Sequence, residues 1–131
     1  MRIAGICLDC ADAEAMKTFY ESLFGYVETW RDVDGPPQTG WIGLEHPDGG
    51  VNISFQEEPW YEPPTWPEEP ERQAKMMHFE VAVDDVEAAA AAVVAAGGRV
   101  APHQPPDRAD DDLCIVLDPA GHPFCLCGPG N

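Results

Sequence analysis

The sequence predicts an α+β fold of two similar β-α-β-β-β modules, and three observations predict it. Asp12 leads an apolar run of helical spacing that stops at Gly25; Asp85 and Gly98 repeat this arrangement 73 residues further on. Pro47-Asp48-Gly49 is answered by Pro119-Ala120-Gly121 at an offset of 72 residues. Each of these turns enters an apolar stretch, residues 51–55 in one copy and 124–127 in the other. Such a repeat marks two supersecondary units and a cleft where they meet. Modules of roughly 60 residues are marginal alone, so the two are expected to share a sheet or a core.

Each element has a local cause. Residues 3–9 are short and apolar, a first strand. Asp12 suits an N-cap, and Glu14 places an acid where the helix dipole favours one. Met16, Phe19, Tyr20 and Leu23 recur at i, i+3, i+4 and i+7, which makes one buried stripe. Gly25 suits the residue just past a helix end. Residues 26–32, 39–45 and 51–56 follow as strands, separated by Asp34-Gly35-Pro36-Pro37 and Pro47-Asp48-Gly49. Module one is thus about 1–56.

Residues 57–75 form a connector that holds Pro59, Pro63, Pro64, Pro67 and Pro70 with Trp60, Tyr61 and Trp66. Its polyproline character makes it a stiff spacer. Its aromatics either pin it to the body or lid a ligand cleft. Module two, about 76–131, restarts with a strand at 77–83. Asp84 and Glu87 have capping-box spacing ahead of an alanine-rich helix over 88–96, which Gly97 and Gly98 stop. Strands follow at 99–100, 113–117 and 123–127. The acidic stretch 105–112 reads as a mobile loop.

The chain carries 24 acids against 7 bases, a net charge of -17. That argues against nucleic acid or an anionic membrane as partner, since both demand basic patches. No run approaches the ~20 apolar residues of a membrane helix. Asp9 ends the short apolar start, which reads as a strand and not as a secretory signal. Five cysteines then point to reduced thiols and a cytoplasmic protein.

Several segments resemble the vicinal oxygen chelate superfamily, which includes glyoxalase I, extradiol dioxygenases and the fosfomycin and bleomycin resistance proteins. They are Trp41-Ile42-Gly43-Leu44-Glu45, Ser54-Phe55-Gln56, Pro63-Pro64-Thr65-Trp66-Pro67, Val83-Asp84-Asp85-Val86 and, above all, Asp118-Pro119-Ala120-Gly121-His122-Pro123-Phe124-Cys125-Leu126-Cys127. The closest likeness is to its small bacterial glyoxalase-like subgroup. The resemblance implies curved mixed sheets around a cleft. It also implies metal-ligand positions on the first and last strand of each module. Carried over residue by residue, these fall on Gly5, Ile53, His78 and Cys125. Glycine and isoleucine have no donor side chain, so the superfamily's metal chemistry is not expected and no cofactor is expected. A divalent metal on His78 and Cys125 is the weak alternative.

His78 and Glu80 alternate on one predicted strand and should face one side. A carboxylate on an otherwise apolar strand calls for a partner. Cys7-Leu8-Asp9-Cys10 has C-x-x-C spacing, but on a strand its thiols diverge. Cys125 with His78 is a conceivable nucleophile pair, without a matching oxyanion motif. His122 is expected to fix its turn, while His46 and His103 are expected to be solvated. The expected ligand cleft is lined by Gly5, Cys7, Trp41, Ile53, Phe55, His78, Glu80 and Cys125, with Trp60 or Trp66 as a further stacking surface. The expected function is binding of a small organic molecule, as in the bleomycin-resistance type. The rival is a glyoxalase-type lyase or isomerase in which His78 or Glu80 moves a proton. A structural or interaction module is a third class. Two-fold pairing makes a homodimer the expected assembly.

Overall fold

The computed structural model describes residues 1–106 and 113–129. The expected mobile loop therefore falls outside the described residues from 107 to 112. The chain forms two compact units, Met1–Tyr61 and Glu62–Asn131.

The first unit holds β1 (Gly5–Cys10), α1 (Ala13–Phe24), β2 (Val27–Asp32), β3 (Trp41–Glu45) and β4 (Asn52–Glu57). Its sheet runs β1-β4-β3-β2, with β1 parallel to β4 and the other pairs antiparallel. Asp12 caps α1 as its sequence predicts: its carboxylate accepts the Ala15 N–H at 3.0 Å. Gly25 ends the helix at φ 70°, a left-handed conformation that suits glycine. Met16, Phe19 and Tyr20 of the predicted stripe are buried while Leu23 is half-buried, and Tyr20 lies 5.2 Å from both Phe19 and Phe55, centroid to centroid. Glu57 fastens this side by accepting the Ala13 N–H at 3.1 Å and the Gly40 N–H at 3.2 Å.

A register shift between Glu28 and Trp30 makes a bulge in β2 at Thr29. Glu28 pairs with Leu44 and Arg31 with Ile42, so both face α1. There Arg31 bonds Glu28 and Glu14, and Lys17 sits 3.1 Å from Glu28. Trp30 pairs with Gly43 and is turned to the opposite face.

The second unit holds β5 (Glu80–Ala82), α2 (Val86–Ala95), β6 (Arg99–Val100), β7 (Leu113–Leu117) and β8 (Pro123–Cys127), in sheet order β5-β8-β7-β6. The expected β-α-β-β-β order thus appears in each unit, as an α+β fold with two four-stranded mixed sheets. The predicted capping box is one residue out of place. Asp85, not Asp84, caps α2 and accepts the Ala88 N–H at 2.9 Å. Glu87 thereby falls inside the first turn, where it faces the helix dipole instead of closing a box. The strand expected at 77–83 is also shorter. The Cys125 N–H bonds the Phe79 carbonyl at 2.9 Å, and the next donor on β8 would be Pro123, which has no N–H. The ladder ends there, leaving His78 just outside β5.

The two Pro-x-Gly turns share a design. In the first, His46 Nδ1 accepts the Asp48 N–H at 3.1 Å; in the second, Asp118 Oδ1 accepts the Ala120 N–H at 3.0 Å. His46 is therefore not the solvated residue expected, since it is half-buried beside Tyr26, at 5.3 Å between centroids. Asp118 is fully buried and also accepts the His122 N–H at 2.9 Å.

Candidate functional site

The first sheet has one covered face and one open face. Ile42, Leu44, Ile53 and Phe55 point to α1 and are buried. Gly5 pairs with Asn52 and Cys7 with Ser54, and these share the open face with Trp41 and Gly43. The bulge at Thr29 adds Trp30. Trp30 and Trp41 meet edge to face, 5.9 Å apart at 73°, and are 51% and 36% exposed. A hollow of about 270 Å³ opens beside them, bordered by Gly5, Thr29, Gly43, Glu45, Asn52 and Ser54. The Asn52 side-chain amide donates to Glu45 Oε1 at 3.2 Å.

This placement divides the predicted cleft residues. Gly5 and Trp41 border the hollow, and Cys7 stands on the same face. Phe55 does not: it is fully buried against Tyr20 on the helix side. Ile53 borders the hollow but is only 6% exposed and packs on the side of Phe55. Their strand pairs one residue out of step with the expected facing, and a single step reverses every side chain. The residues that take their place are Asn52 and Ser54. Trp30 and Glu45 were also missing from the predicted set. Glu45 stood in the alternating run Trp41-Ile42-Gly43-Leu44-Glu45, which carries that signal; Trp30 depends on the bulge.

In the second unit, Glu80 pairs in register with Cys125. His78 and Glu80 face one side as expected, with Nε2 and Oε1 4.0 Å apart, and their side chains are 38% and 78% exposed. Cys125 packs with Leu113 and Trp66 against Ala101, Ile115 and Leu117. Trp66 donates from Nε1 to the His103 carbonyl at 3.0 Å, and the Lys75 ammonium lies 4.6 Å over its ring. Trp66 thus pins the connector to the sheet, the first of the two roles open to it. Trp60 is 90% exposed.

None of the five cysteines forms a disulfide. Partial burial pushes the Cys7 thiol up, against the pull of a hydrogen bond with Ser54. A thiol moved in that direction is a poor nucleophile at neutral pH. The superfamily's metal does not fit the residues present. Gly5 offers no donor, and a Cβ there would come within 2.9 Å of the Asn52 carbonyl oxygen, so no longer side chain fits without a shift. Among the described residues, no three His, Cys, Asp or Glu side chains converge to hold a metal ion.

The comparisons agree with this architecture. A model of the glyoxalase-like domain matches residues 5–127. A glyoxalase family protein from Enterococcus faecalis is 20% identical, with 96% of each chain covered and a TM-score of 0.64. The fosfomycin resistance protein FosX from Listeria monocytogenes, as a mutant complexed with Mn(II) and 1S,2S-dihydroxypropylphosphonic acid, is 16% identical. That match covers 96% of this chain and 88% of FosX, with a TM-score of 0.62. A glyoxalase/bleomycin resistance protein/dioxygenase family enzyme from Burkholderia phytofirmans is 17% identical, with 98% of each chain covered and a TM-score of 0.62. At these identities the likeness is one of fold. No curated protein matches the chain, and no described helix is long and apolar enough to cross a membrane.

Proposed function

Since the chain belongs to the glyoxalase-like domain family, we propose that it binds a small organic molecule on the open face of its first sheet, without the superfamily's usual metal. One observation carries this reading: the Trp30–Trp41 corner beside the hollow of about 270 Å³. Solvent-exposed indoles at a concavity supply large stacking area at small entropic cost. The polar atoms of Asn52, Ser54 and Glu45 border the same space and would orient a ligand. A fold relative, FosX, is known with a small phosphonic acid bound.

The exposed His78–Glu80 pair, at 4.0 Å, favours a second reading in which these residues move a proton in a lyase or isomerase reaction. Native mass spectrometry of purified protein, with Trp41→Ala and His78→Ala beside it, separates the two. A retained organic molecule lost in Trp41→Ala, with no stoichiometric metal, is the expected result. A metal near one per chain that disappears in His78→Ala overturns it in favour of the second. The same spectra report subunit number. We place the protein in the cytoplasm as a homodimer, on cysteines that form no disulfide and on the prevalence of two-fold pairing among soluble oligomers.

A further inference from the structure

We propose that the ligand of the first-sheet hollow is an organic cation, an aromatic or alkyl ammonium. The inference rests on the binding reading above and narrows it to a chemical class. The hollow is bordered by two indoles and one carboxylate, Glu45, and by no basic side chain. The bases of this unit are Arg2, Lys17 and Arg31. Lys17 and Arg31 are held on the α1 side by Glu28 and Glu14, at 3.1 and 2.7 Å, so they face away from the hollow. Arg2 precedes β1 and does not border the hollow. An anionic ligand would meet Glu45 with no countercharge. A cation finds the negative face of an indole and a carboxylate within one concavity. Both indoles border the hollow, and their planes cross at 73°. Asn52 donates to the Glu45 carboxylate at the border of the hollow. The net charge of -17 adds a field that concentrates cations at the surface and repels anions.

The test is an NMR titration of the full chain with benzyltrimethylammonium, benzyl alcohol and phenylacetate at one ionic strength. The indole N–H signals of Trp30 and Trp41 report binding. The cation is expected to bind about fivefold to tenfold tighter than the alcohol, with the acid weakest. Glu45→Gln is expected to remove most of that preference by lowering the cation's affinity severalfold more than the alcohol's. Should that variant not fold, Trp41→Leu keeps an apolar wall, removes a π face and is expected to narrow the same gap. Equal or tighter binding of phenylacetate, or a preference untouched by these variants, overturns the cation assignment while the hollow stands as a binding site. Silence of both indole signals to all three compounds at millimolar concentration overturns the binding reading itself, and the cation assignment with it.

Discussion

Strand β3 of the first unit and β7 of the second occupy the same place in the repeat, yet they are buried differently. In β3, buried Ile42 and Leu44 alternate with exposed Trp41 and Glu45. In β7, Ile115, Val116 and Leu117 are buried in succession. Alternation belongs to a sheet with one covered face, succession to a sheet covered on both. The second cover is the chain's own connector, through Trp66 against Ile115 and Leu117. One copy of the module therefore leaves this face exposed, while the other fills the equivalent face from within. The acidic turn repeats the contrast: fully buried Asp118 stands where half-buried His46 stands in the first copy.

The largest test of that contrast is the tryptophan pair itself. Trp66→Ala is expected to cost about 3 kcal/mol in urea unfolding, from lost burial and a cavity over Ile115 and Leu117. Trp41→Ala, on the open face, is expected to cost under ~1 kcal/mol. Equal costs would mean that the first face is covered as well. Next come the turns. Asp118→Ala leaves the Ala120 and His122 N–H groups without their acceptor and is expected to cost about 2–3 kcal/mol. His46→Ala loses one half-exposed bond and is expected to cost roughly 0.5–1 kcal/mol by the same denaturation. Parity between them would show that burial does not separate the two copies.

The smallest effect is confined to the first unit and depends on pH. The Arg31 hydrogen bond, with help from Lys17, lowers the Glu28 carboxyl from 4.5 to about 2. A carboxyl lowered by folding stabilises the fold above its unfolded value and loses that contribution as pH falls through its folded value. Arg31→Met should therefore be slightly less stable than the parent at pH 6, and the difference should fade between pH 4.5 and about 2. Thermal melts of both proteins across that window check it. A gap that widens on acidification would assign the pair no stabilising role.

The sequence carried more of the fold than of the site. The repeat offset placed both helix caps, since Asp85 stands to α2 as Asp12 stands to α1, whereas the local capping-box motif pointed one residue early. Gly25 and the bounds of β7 and β8 were likewise legible, because proline, glycine and unbroken apolar runs act locally. The facing of β4 was not. Whether Ile53 or Asn52 meets the open face depends on pairing with β1 and β3, and strand patterning alone does not give its parity. Cover by Trp66 was equally hidden, since an aromatic in a proline-rich connector has no period to read. Its trace lies in the partner strand, where Leu113-Cys114-Ile115-Val116-Leu117 never alternates.

The bulge at Thr29 makes the aromatic corner a matter of arithmetic as much as of composition. One extra residue in β2 carries Trp30 to the open face while Glu28 and Arg31 stay together beside α1. Removing Thr29 would keep Trp30, Trp41, Glu45, Asn52 and Ser54 and still send that indole, or the ion pair, to the other side of the sheet. The aromatic border of the hollow thus turns on a single residue gained or lost in an edge strand.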